Sequence, residues 1–143
     1  MSMLPDKDHP LSASCLCGDV AVTLLDGPRS MLHCACRDCQ RTTGAGHLPI
    51  IMMRARDIRI DGETHTHAIT ADSGAVTTRH FCPRCGSHIL GISSRAPDVV
   101  SVPAGLFAGQ SDWFAARSVI FARSLNHWDM IDPAIPRHDT YRR

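Results

Sequence analysis

The chain has 143 residues, 43% hydrophobic and 20% charged, which fits one folded domain and excludes a disordered or fibrous polypeptide. Fifteen basic residues against fourteen acidic ones leave a formal charge of +1, so duplex nucleic acid and anionic membranes are not expected partners. The longest strongly apolar run, residues 48–53, is far too short to cross a bilayer.

Residues 1–13 carry two prolines and little periodicity, and a flexible N-terminal tail is expected there, followed by a single domain over 14–143. From Gly18 onward short apolar alternations are separated by turn residues, the pattern of strands. Val20, Val22 and Leu24 alternate with smaller residues until Asp26-Gly27-Pro28 ends the run. Residues 37–43 read as a short helix. Residues 48–53 predict a buried strand, and Ile58 and Ile60 flank Arg59 before a turn at Asp61-Gly62. Residues 64–70 and 75–81 predict a hairpin connected by 71–74. Further strands are expected at 87–92, 98–102 and 118–123, with a second short helix at 112–116. A single Glu and a single Lys leave almost none of the usual surface residues of long helices. The expected class is therefore mainly β, with at most one or two short helices.

Seven cysteines fall into three groups: Cys15 and Cys17; Cys34, Cys36 and Cys39; Cys82 and Cys85. A secreted disulfide scaffold usually spreads an even number along the chain behind a basic-then-apolar leader, and this chain opens on no such stretch. Gaps of one and two residues bridge poorly but share a metal well. A reducing, cytoplasmic compartment is expected, with thiolates as metal ligands and two zinc ions per chain.

Seven thiolates divide as four plus three. Structural zinc takes four ligands in a closed tetrahedron; catalytic zinc takes three and keeps one position open. Cys82-Pro83-Arg84-Cys85-Gly86 has the make-up of a tight turn, with Pro fixing one φ and Gly permitting a left-handed residue after it. Cys15-Leu16-Cys17-Gly18 needs a bend, which Gly18 makes easy. Together they predict a four-thiolate structural site. Cys34-Ala35-Cys36-Arg37-Asp38-Cys39 offers three thiolates from one segment, which cannot easily supply a fourth. Water, a substrate thiol or a histidine (His33, His47, His80 or His88) is the candidate for that position. Arg84 is expected to compensate the charge of the first cluster, and Asp38 to cap or solvate the short helix.

These motifs resemble the glutathione-dependent formaldehyde-activating enzymes. Cys15-Leu16-Cys17-Gly18 looks like the first motif, Cys34 to Arg41 with Gly44-Ala45 like the second, and Phe81-Cys82-Pro83-Arg84-Cys85-Gly86 like the third. Gly105-Leu106 and the segment from Arg123 to Trp128 extend the likeness. The resemblance implies a β-tent fold of several short antiparallel coiled sheets around a structural zinc at Cys15, Cys17, Cys82 and Cys85. It also implies a second, exposed zinc at Cys34, Cys36 and Cys39, which would carry the chemistry. The implied activity is that of a carbon–sulfur lyase joining glutathione and formaldehyde in S-hydroxymethylglutathione. The family commonly carries His inside the first two motifs, where this chain has Leu16 and Ala35.

On this reading a small thiol such as glutathione meets an aldehyde at the open zinc, and Arg37, Arg41 and Arg79 are candidates to pair with the thiol's carboxylates. The competing reading is a zinc-stabilised interaction module without turnover, with Trp113 and Phe114 as a contact surface. An exposed sheet edge would allow a homodimer.

Overall fold

The computed structural model of the chain describes residues 2–71 and 73–141. Ten strands and one α-helix form among these residues. They are β1 (Leu11–Ser14), β2 (Ala21–Leu24), β3 (Ser30–Cys34), α1 (Arg37–Thr43), β4 (Leu48–Arg54), β5 (Ile58–Asp61), β6 (His65–Thr70), β7 (Val76–Phe81), β8 (His88–Ser93), β9 (Val99–Pro103) and β10 (Val119–Ile120). Short 3-10 turns occupy Ala55–Asp57, Ala104–Phe107 and Ala122–Ser124.

Strands β1, β2 and β5 make a three-stranded antiparallel sheet in that order. The other seven form one sheet in the order β10–β3–β4–β9–β8–β7–β6, antiparallel except where β10 runs parallel to β3. Successive side chains on a strand point to opposite faces, so each sheet can present one apolar side. Val20, Val22 and Leu24 from the region of β2 meet Ile51, Met53, Ile89 and Phe107 in the main core. β4 is buried on both faces. Ile51 and Met53 enter this core, whereas Leu48 and Ile50 join a second cluster with Cys34, Cys39 and Ile120. Two-sided burial explains why residues 48–53 read as one continuous apolar run.

Three expectations are corrected. Residues 11–13 are not a loose tail: they belong to β1, because Leu11 and Ala13 pack against the core and Ser12 Oγ lies 2.6 Å from Thr23 Oγ1. Residues 112–116 form no helix. The indole N–H of Trp113 donates to the Gln110 carbonyl at 2.7 Å and its ring sits 6.4 Å from that of Phe107, which holds a turn there instead. The strand expected at 118–123 stops after Ile120, because Phe121 takes a left-handed φ of 54° that no strand accommodates. In the β6–β7 hairpin connection, Asp72 lies outside the described residues; the Ala71 N–H donates to the Ala75 carbonyl at 2.8 Å.

Two candidate metal centres

The first cluster forms where two turns meet. After β1 the chain turns over Cys15–Gly18, closed by the Gly18 N–H on the Cys15 carbonyl (3.1 Å) with Gly18 at φ 88°. Between β7 and β8 the Gly86 N–H returns to the Cys82 carbonyl (2.9 Å) with Gly86 at φ 76°. Both glycines take the conformation that a side chain would oppose. The turns place Cys15 Sγ 3.6 Å from Cys17 Sγ, and Cys17 Sγ 3.7 Å from Cys82 Sγ. All four sulfurs lie within 4.8 Å of one another, and all are free thiols. A tetrahedral metal with bonds of about 2.3 Å to sulfur holds its ligands about 3.8 Å apart, so the donor set fits such an ion.

Polar groups support this cluster. The Val20 N–H donates to Cys15 Sγ at 3.3 Å. Burial alone would raise the Cys15 thiol, but that N–H and the neighbouring thiols bring it below its usual value. Ser87 Oγ accepts from the Leu16 N–H at 3.2 Å and its hydroxyl donates to Cys85 Sγ at 3.2 Å, linking the two turns. That hydroxyl, with the Ser87 N–H, lowers the Cys85 thiol to about 5. Arg84, expected to neutralise the cluster, instead pairs with Asp19 at 3.2 Å on the surface.

The second cluster sits where β3 runs into α1. Cys34 ends β3, and Cys36 is the residue that caps α1, its sulfur accepting from the Cys39 N–H at 3.3 Å. The cap is thus a thiol and not Asp38, which occupies the exposed first turn. Gly44, at φ 69°, ends the helix with its N–H on the Gln40 carbonyl at 2.8 Å. Hydrogen bonds from the Cys34 and Cys39 thiols outweigh burial at Cys36 and, with the N–H groups of Cys39 and Asp38, lower it to about 2. The same crowding pushes Cys34 far up, because its proton is shared with Cys36 and it is buried. Cys34 and Cys39 are buried and Cys36 is half-buried, so three thiolates together would be favoured by a cation held among them.

Gln40 locks this segment in place. Its side-chain amide donates to the carbonyls of Ala35 and Ser124, both at 2.9 Å, and its oxygen accepts from Asn126 at 2.9 Å. Nothing in the local spacing points to it, since two of its partners are 84 and 86 residues away. His47 and Asp129 were likewise unforeseen as a pair, at 2.8 Å, with a Cβ at Gly46 certain to overlap the Asp129 carboxylate.

Among the described residues no histidine or carboxylate joins the three sulfurs of Cys34, Cys36 and Cys39 as a fourth ligand. His47 is engaged by Asp129, and His80 Nδ1 lies 3.0 Å from Thr64 Oγ1. His33 packs its ring 4.5 Å from that of His47, and burial together with this neighbour pushes its imidazole down to about 4. His88 lines the same cavity as the three cysteines. That cavity has a volume of about 450 Å³, is walled by Leu32, Leu48, Ile50, Met52 and Ile120, and also contains Arg79. Arg79 Nη1 and both ring nitrogens of His88 are buried there without a hydrogen-bond partner. Burial, then the Arg79 charge, keeps the His88 imidazole below its usual value. Arg37 and Arg41 lie apart from Arg79, in a separate cleft of about 280 Å³ with Gln40 and Trp128. Trp113 and Phe114 are half-buried against the main core.

A β fold carrying one four-cysteine cluster in its core and one three-cysteine cluster at a cavity defines a class, that of small β proteins organised around cysteine clusters that could hold metal ions. More narrowly, the chain belongs to the glutathione-dependent formaldehyde-activating enzyme family, whose model matches residues 10–124. A Halomonas elongata protein carrying that family's name is 32% identical over 95 residues, which span 63% of this chain and 60% of that protein. The crystal structure of a Rhodobacter sphaeroides protein shares the fold with a TM-score of 0.52 at 22% identity, over 69% of this chain and 89% of that one. No helix among the described residues is long and apolar enough to cross a membrane.

Proposed function

We propose that the cavity at Cys34, Cys36 and Cys39 is a carbon–sulfur lyase site that forms or splits the hemithioacetal of glutathione, or a related thiol, with formaldehyde or another aldehyde. The observation that carries this reading is the three-sulfur cluster that no group among the described residues closes, set at the wall of a cavity lined by a guanidinium and an imidazole without hydrogen-bond partners among those residues. We read the architecture as a β-tent with two zinc ions per chain, one at Cys15, Cys17, Cys82 and Cys85, working in the reducing cytoplasm.

In the forward direction the thiol S–H bond breaks, sulfur forms a bond to the aldehyde carbon, and the carbonyl π pair becomes a C–O–H group. A zinc ion would be held by Cys34, Cys36 and Cys39, and would supply the positive charge that lowers the pKa of a nearby thiol. Arg79 Nη1, buried and unpaired, binds a carboxylate of the substrate and so orients its sulfur toward the cluster. Arg37 and Arg41, on the other side of α1, serve a second carboxylate. His88, neutral through burial, receives the thiol proton on a ring nitrogen and returns it to the oxygen that develops on the former carbonyl. Reversal splits the adduct by the same steps.

Protein purified without chelator is expected to hold about two zinc ions per chain and to accelerate exchange between glutathione, formaldehyde and their adduct, followed by exchange NMR. Cys36→Ser is expected to remove that acceleration while about one zinc stays bound. A single tightly held zinc, with Cys34, Cys36 and Cys39 all open to a thiol reagent and no acceleration, overturns the reading.

A further inference from the structure

A one-carbon aldehyde fills only a small part of the cavity. The wall residues Leu32 and Cys34 on β3, and Leu48, Ile50 and Met52 on β4, are alternate positions, so one whole sheet face is given to the cavity and most of it is apolar. A γ-glutamyl tripeptide, with two carboxylates and an ammonium, has little to bury against that face. Its charges match Arg79 in this cavity and Arg37 and Arg41 in the separate cleft along α1.

The cavity continues beyond the cysteines. Across four strands the register sets Arg79 opposite Gly91, Gly91 opposite Ser101, and Ser101 opposite Met52. The two central residues of this row are small, which lowers the floor between the larger side chains. The floor leads into an extension of about 120 Å³, which shares Met52, Thr77, Gly91 and Ser101 with the main cavity and adds Ile92, Ser93, Ala96 and Val99. Gly91 does not need its freedom of φ; its missing side chain is the point, because a Cβ there would sit 2.8 Å from Ser101 Oγ and fill the trough.

We propose that the substrate at this site is the thiol adduct of an aldehyde bearing an apolar carbon chain, and that the chain lies in the trough over Gly91 and Ser101 toward Ile92 and Val99. The proposal rests on the function given above and names its substrate class. Formaldehyde, which carries no such chain, would leave the trough empty.

The test is a calorimetric titration of the protein as purified with S-methyl-, S-butyl- and S-hexylglutathione, thioethers that bind without turning over. Burying a methylene gives about a fourfold gain in affinity, so S-butylglutathione is expected to bind more than tenfold more tightly than the S-methyl compound, and the S-hexyl compound more tightly again. Gly91→Val is expected to compress the hexyl-to-methyl ratio to about twofold or less. Equal affinities along the series in the unaltered protein overturn the proposal, whatever the variant does, and leave the thiol–aldehyde reading standing. A gain along the series that Gly91→Val leaves intact in a folded, metal-loaded variant also overturns it, since the chain then lies elsewhere. Binding of neither glutathione nor any thioether overturns the function itself and the proposal with it.

Discussion

Replacing Gln40 by Ala tests whether α1 is held by the contacts described. The substitution leaves the carbonyls of Ala35 and Ser124 without their donors and the Asn126 amide without its acceptor, three bonds of 2.9 Å in a half-buried setting. At about 1 kcal/mol for each, the expected loss is about 2–3 kcal/mol. For a domain of this size that lowers the melting temperature by roughly 4–12 °C. The loss is not spread evenly. Gln40 lies beside Cys39 and ties the segment containing Ala35 to the Ala122–Ser124 turn, so the three-cysteine centre loosens while the centre at Cys15 and Cys82 keeps its turns. Metal transfer to a competing chelator should therefore separate into two phases, the faster at least tenfold quicker than in the parent and the slower unchanged. Gln40→Glu keeps an acceptor for Asn126 but sets a carboxylate against two carbonyls, and is expected to do no better than Ala. A Gln40→Ala protein that melts within about 1 °C of the parent and releases both metals at parental rates refutes this account of the site.

Cys82 is fully buried within the main core, and a structural zinc contributes about 10–16 kcal/mol, as much as the whole stability of a domain; Cys82→Ser should not fold, seen as loss of the strand signal in circular dichroism, while Cys36→Ser should keep it. A folded, metal-free Cys82→Ser protein would contradict a metal-centred core. Ser87→Ala removes the first cause of the lowered Cys85 thiol, so its pKa rises from about 5 toward an ordinary thiol. Protons then compete at higher pH, and the midpoint of metal release on acidification should move upward relative to the parent. An unmoved midpoint means that the hydroxyl does not support the thiolate. Arg84→Ala breaks only an exposed pair with Asp19, and its melting temperature should change by no more than about 1 kcal/mol of stability would give. A larger fall would make that pair a clamp between the turns.

What could be read from the sequence was local. Cys82-Pro83-Arg84-Cys85-Gly86 announces its own turn, and the structure gives Gly86 the positive φ that the motif requires. The helix over 37–43 has the bounds expected of it, because Gly44 stops it within the same short segment. The four-plus-three division of the thiols also follows from spacing, and the sulfurs do gather in those two sets. What failed to show depends on residues far apart in the chain. β1 exists because Leu11 and Ala13 find a core built from later strands. β10 is cut short by Phe121, whose left-handed backbone is fixed by bonds to the carbonyls of Thr140 and His138 at its own and the next N–H. Arg37 and Arg41 lie one turn apart on α1 and Arg79 on β7, and only Arg79 reaches the cysteine cavity.

The same distinction accounts for the difference between the two centres. Four sulfurs come from two turns on either side of a gap of 65 residues, so each turn approaches from its own side and an ion held between them would be enclosed when the sheets close. Three sulfurs come from a single strand-to-helix corner, and one corner can approach from one side only. The free side faces whatever the fold sets opposite it, which here is an apolar sheet face with Arg79 and His88 at its margin. A histidine brought in from a distant strand would have closed the second centre and made it another staple. Of the four candidate histidines, His47 is held by Asp129 and His80 by Thr64, while His88 lines the cavity without joining the three sulfurs.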